Sequence, residues 1–292
     1  MKHSISVTLY TDPGCPWAYS ELPALRVLEW RYGSQLDWRL VLIGLTEDAS
    51  QYAARGYTPL RGALGRLAFR RYGMPFAHAP KARVSATGRA CRAVVAARLG
   101  QPGSEWAVLR ALQLANFNTS LLLDDDEQLT AVLREVPELD ARRLLSALDS
   151  SEVAEAYQRD RAEARAAAGS AAELQGKTAT TDGPVRFTAP SVVFESADRR
   201  LVAGGFQPVE AYDVLIANLD PELHREPPPP APAPLLARFA DGLTTQEVAA
   251  LLAPGNDPPD RIEAEVALLE LLAGGQAVRQ SLGDDALWKR GG

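Results

Sequence analysis

The sequence is poor in the residues that redox, metal and membrane chemistry usually draw on. Its 292 residues include two cysteines, two methionines and three histidines. Cys15 and Cys91 lie far apart, which argues against the disulfide framework of a small secreted domain. No zinc-ligand spacing, Gly-rich phosphate loop or Gly-x-Ser-x-Gly elbow occurs. No run approaches the roughly 18 apolar residues of a membrane-spanning helix. The N-terminus "MKHSISVTLY" has neither the apolar core nor the cleavage site of a signal peptide, so the expected location is the cytoplasm, with no membrane partner. A basic excess is missing too. Lys and Arg total 31 against 37 Asp and Glu, a net charge of -6, which disfavours nucleic-acid binding through a broad basic surface. What remains is ordinary globular material, 46% hydrophobic, in one or two domains.

"SISVTLYTDP" alternates apolar Ile5, Val7 and Leu9 with polar Ser4, Ser6 and Thr8, the period of a strand that stops at Asp12-Pro13-Gly14. A helix is expected from Trp17 to about Tyr32, capped by Gly33, and "LDWRLVLIGL" (residues 36–45) reads as a buried second strand. Between residues 47 and 176 the pattern is helical, with segments over 60–72, 83–99, 104–117, 126–135 and 140–168. "TAPSVVF" and "RRLVAGGF" then read as a strand hairpin, and residues 208–219 as a closing helix.

This order puts Cys15 at the first turn of a βαβ unit, on the N-terminal edge of a helix. Unpaired backbone N–H groups there lower a thiol pKa from its usual value of about 8.5, and the thiolate is the nucleophile. Pro16 suits the first helical turn, where its missing N–H costs nothing. Gly14 is expected to keep the approach open, and Trp17 to rim the pocket.

Cys15-Pro16-Trp17-Ala18 opening a helix, the long helical insertion and "TAPSVVF" before the third strand resemble the DsbA-like thioredoxin-fold group. That group includes FrnE-type and mycothiol-linked oxidoreductases, 2-hydroxychromene-2-carboxylate isomerases and kappa-class glutathione transferases. The resemblance covers about residues 5–222. It implies an α/β thioredoxin-like fold with a long all-helical insertion, and a DsbA-like thiol-disulfide oxidoreductase in which Cys15, Pro16, Trp17 and Pro190 form the catalytic site. Pro190 would be cis and abut the sulfur, while Ala189, Ser191 and Trp17 would contact a substrate or a low-molecular-weight thiol, glutathione or mycothiol. No tightly bound cofactor or metal is implied.

The sequence departs from the dithiol pattern at Ala18, where those members carry the second cysteine. A mixed disulfide at Cys15 then has no neighbouring thiol to release it. This leaves a monothiol route resolved by an external thiol, a glutathione-dependent isomerase or transferase, or a non-enzymatic redox-linked regulator. Cys91 lies in an Ala- and Val-rich helix and reads more readily as a buried small residue than as a resolving thiol. The arginines of the insertion, Arg55 through Arg92, would suit the carboxylates of either small thiol, although each alone reads as a solvated surface charge.

"REPPPPAPAP" marks a Pro-rich linker, assigned to 227–234, after a first domain over 1–226. Residues 235–292 suggest helices followed by a hairpin turning at Gly283-Asp284, the layout of a winged helix with residues 276–290 as its wing. This tail carries five basic and nine acidic residues, and no Arg, Lys, Asn or Gln lies in "EAEVALLELLAGG", where a recognition helix would lie. It is therefore read as an element for a protein partner or a homodimer, with nucleic acid unlikely.

Overall fold

The computed structural model describes residues 4–181 and 183–292. The alternating segment forms β1 (Ile5–Thr11) and the second apolar segment forms β2 (Leu36–Leu42), which run parallel with Leu9 opposite Leu40. Only Ser6 of β1 is exposed, although the sequence alternates. The cause is position, because β1 lies inside the sheet with both faces covered. Ile5, Val7 and Leu9 enter the main core, and Tyr10 enters a separate cluster on the other side.

The helix expected over 17–32 is two helices, α1 (Pro16–Ser20) and α2 (Leu22–Tyr32), joined at Glu21. Pro23 explains the break: it lacks an N–H, and inside one continuous helix its ring would meet the carbonyl of Tyr19. The insertion contributes α3 (Ala49–Ala54), α4 (Pro59–Phe69), α5 (Gly88–Gly100), α6 (Glu105–Asn118), α7 (Asp126–Arg134), α8 (Ala141–Ala147), α9 (Ser151–Ala164) and α10 (Ala171–Leu174). The helix expected over 140–168 is divided between α8 and α9 because Ser150 caps the Val153 N–H and starts a new helix. A two-stranded ribbon of β3 (Thr178–Ala179) and β4 (Arg186–Phe187) follows. Then come β5 (Ser191–Glu195), β6 (Arg200–Gly204) and α11 (Val209–Leu219), which complete a four-stranded sheet of order β2-β1-β5-β6. This is a thioredoxin-like fold interrupted by helices.

The C-terminal segment folds as α12 (Pro232–Arg238), β7 (Leu243–Thr244), α13 (Thr245–Leu252), α14 (Arg261–Ala273), β8 (Ala277–Leu282) and β9 (Asp285–Arg290), with strand order β7-β9-β8. Helix α12 begins inside the stretch expected to be extended linker, since proline is tolerated in a first helical turn. The segment packs on α2: Val27 joins its core with Leu235, Phe239, Val248 and Trp288, while the next residue, Leu28, belongs to the main core.

Charge completes this seam. Arg110 of α6 makes a bidentate pair with Glu247 of α13 at 2.6 and 2.8 Å, and also donates to the Gly242 carbonyl. Burial pushes the Glu247 carboxyl up, and the Arg110 guanidinium outweighs it, so the net displacement is downward. The β8–β9 tip is also engaged. Gly283 adopts a positive φ of 59°, and a Cβ there would lie 2.2 Å from Asn118 Oδ1. Asp284 accepts from the Phe76 N–H at 2.8 Å and pairs with Arg70. The expected wing tip is thus docked on the insertion.

Candidate active site

Cys15 is the N-cap of α1. Its N–H donates to the Asp12 carbonyl at 3.1 Å and its carbonyl accepts from the Tyr19 N–H at 3.0 Å. The turn "DPGC" forms because Asp12 accepts from the Gly14 N–H, the Leu45 N–H and the Thr87 hydroxyl at 2.8 to 3.0 Å. A Cβ on Gly14 would stand 2.3 Å from Thr87 Cγ2. Glycine at this position lets the turn pack closely against Thr87.

The Ala189-Pro190 bond is cis. The Cys15 thiol donates to the Ala189 carbonyl at 3.1 Å, so the chain wall before Pro190 and the sulfur are in direct contact. Ser191 does not offer a free hydroxyl: it donates to the Thr188 carbonyl at 2.7 Å and accepts from the Gly205 N–H at 3.2 Å.

Burial pushes the Cys15 thiol up to about 12, against the N–H groups of Ala18 and Trp17, which favour the thiolate. Asp12 adds to the rise and Arg186 opposes it. The expectation of a depressed thiol pKa is therefore not met in this closed arrangement. The helix N-terminus is in place, but removing water from the sulfur costs more than the N–H groups return. Cys15 belongs to a buried cluster that also holds Tyr10, Ala18, Phe187 and the insertion's end at Ala164, Ala167 and Ala172.

Trp17 is 37% exposed and sits in an aromatic group, 4.8 Å from Phe69, 5.2 Å from Tyr72 and 5.5 Å from Phe206 between ring centroids. Ala18 is buried where the dithiol pattern has sulfur. Both cysteines are free, and Cys91 is fully buried in α5 with its thiol 3.5 Å from Asp12 Oδ2. Among the described residues no group of three or more His, Cys, Asp or Glu side chains is placed to hold a metal ion, and no helix is long and apolar enough to cross a membrane.

Several arginines expected over the thiol are used elsewhere: Arg83 pairs with Asp124, and Arg89 with Asp126 and Asp149. Sequence reasoning passed over Asp12 as mere turn punctuation, and it missed Arg186 and Phe206 altogether. Their only local signal is proximity to the "FTAP" and "GGF" phrases. It also missed a cavity of about 410 Å³ whose lining includes Ala18, Leu22, Leu25, Trp106, Pro190 and Gln113. The Gln113 side chain is buried in this wall, its carbonyl oxygen without a hydrogen-bond partner among the described residues.

A cysteine at a helix N-terminus in contact with the backbone before a cis proline, on a thioredoxin-like sheet, defines a thiol-active-site class of protein. Residues 6–168 match the model of the DSBA-like thioredoxin domain, and the chain belongs to that family. Solved structures share the fold. A probable DsbA oxidoreductase from Streptomyces coelicolor superposes with a TM-score of 0.55 at 17% identity, covering 75% of this chain and 91% of its own. A candidate protein disulfide isomerase from Nitrosomonas europaea gives 0.55 at 18%, with 74% and 97% covered. The cytosolic disulfide reductase DsbM from Pseudomonas aeruginosa, in its structure with GSH, gives 0.51 at 19%, with 73% and 98% covered. No functionally curated protein matches the sequence.

Proposed function

We propose that the protein is a thiol-disulfide oxidoreductase working through one protein thiol, Cys15, in a cytoplasmic setting that supplies a low-molecular-weight thiol. The contact between the Cys15 sulfur and the Ala189 carbonyl carries this reading. A peptide or small thiol laid along Ala189 like an added strand competes for that carbonyl and frees the sulfur. The N–H groups of Ala18 and Trp17, together with Arg186, then favour the thiolate.

In the first step the Cys15 thiolate attacks one sulfur of a disulfide RS–SR′. The Cys15–SR bond forms, and R′S⁻ leaves and takes a proton from solvent. Ala18 offers no internal thiol, so an external thiolate attacks the SR sulfur, forms its own mixed disulfide with R, and returns Cys15 as thiolate. A second external thiol completes reduction of R. The GSH held by the DsbM structure makes glutathione a reasonable co-substrate to test beside mycothiol.

The cavity lined by Ala18 and Pro190 favours a second reading, a glutathione-dependent isomerase or transferase, which predicts binding of the thiol cofactor without covalent capture. Turnover of a small mixed disulfide by glutathione or mycothiol separates the two. Under the first reading, Cys15→Ser loses at least about a hundredfold in rate, because the nucleophile is gone, and Cys91→Ala stays within about twofold of the wild type. An active Cys15→Ser protein would exclude it.

A further inference from the structure

Two helices carry unpartnered apolar ridges of the same length and spacing. On α4, Leu60, Leu64 and Leu67 are 61%, 56% and 49% exposed; on α14, Ile262, Val266 and Leu269 are 79%, 52% and 46% exposed. Each set runs i, i+4, i+7, one face over two turns. Monomeric proteins rarely leave such contiguous apolar stripes in water.

Their charges are opposite. No acidic residue occurs between Asp48 and Glu105. Beside the α4 ridge, Arg55 and Arg61 lie over the Tyr52 and Tyr57 rings, and Arg66 donates to the carbonyls of Ala77 and Ala79. None of the three has a carboxylate partner among the described residues. The α14 ridge is flanked by Glu263, Glu265 and Glu270, and none of these has a cationic partner among the described residues. Pairing α14 with another α14 would oppose carboxylates, and pairing α4 with α4 would oppose guanidinium groups. Pairing α14 with α4 covers both ridges and matches their charges.

We propose that α14 of one copy seats on α4 of a second copy. A twofold dimer makes this contact twice, because each chain carries both ridges. Within one chain the ridges lie on neighbouring elements, since Arg261 at the start of α14 donates to the Gly73 carbonyl just beyond α4. Phe69, the last residue of α4, packs on Trp17. The second copy's acidic helix therefore flanks the aromatic rim of the Cys15 site.

Sedimentation velocity of the full chain tests this, with Leu64→Glu and Val266→Lys as exposed substitutions whose folding is checked by thermal melting. The wild type sediments as a dimer at concentrations up to on the order of 100 μM, and each variant alone dissociates at least about tenfold more readily. An equimolar mixture of the two variants recovers the dimer, because the carboxylate introduced on α4 of one chain meets the ammonium introduced on α14 of the other, while the second contact is wild type. A monomeric wild type, a dimer indifferent to either substitution, loss in Val266→Lys alone, or a mixture that stays monomeric would each overturn the proposal.

Discussion

Two buried polar regions of the molecule follow opposite rules. At the thiol end, Asp12, Cys15 and Glu21 are buried with no ion-pair partner among the described residues, and burial drives each titration upward, with Glu21 reaching about 8 and Cys15 about 12 despite Arg186 nearby. At the seam with the C-terminal segment, Glu247 is as deeply buried, yet Arg110 holds its carboxyl down. Burial sets the cost in both places, and the presence of a partner decides its sign. At the thiol end burial works against the charged form of each group, whereas at the seam the ion pair stabilises it.

The sharpest way to break this contrast is to give the thiol end the partner it lacks. Ala18→Cys supplies a second thiol three residues after Cys15. A mixed disulfide with glutathione, stable in the wild type without added thiol, should then be lost at least about tenfold faster by internal attack, read by mass spectrometry of the intact protein. At the seam, Arg110→Met removes the bidentate partner of the buried Glu247 and leaves it only Arg26, 3.9 Å away, which should cost about 3 kcal/mol in denaturant unfolding. Replacing Glu247 with Met in the same chain should recover much of that loss.

Glu21 gives a pH-dependent effect. Its folded pKa, near 8, exceeds its ordinary value of 4.5. Its contribution is therefore fully favourable below about pH 4.5 and is lost as pH rises to about 8, at up to about 1.4 kcal/mol per pH unit. Glu21→Gln should flatten the stability profile over that window, measured by unfolding at fixed pH values.

The sequence makes the strand-turn-helix around Cys15 legible because strand alternation, turn residues and a first-turn proline are local signals. The division of the first helix was also within reach, since Pro23 stands in plain view. Helix α3 was missed although Asp48 and Gln51 form a capping box. The closure of the thiol was not legible, because Ala164, Ala167 and Ala189 reach Cys15 only through the fold. Nor was the Arg110 to Glu247 pair, whose members lie 137 residues apart. Local chemistry announced the candidate nucleophile, and long-range packing decided how far water reaches it.

The central claim is that Cys15 acts alone among the protein's thiols. Intact-mass analysis and peptide mapping after brief exposure to oxidised glutathione test it most directly. One glutathionyl group on Cys15, removed by added reduced glutathione, is the expected result. A Cys15 to Cys91 disulfide, or a protein that remains unmodified at Cys15, would contradict the account.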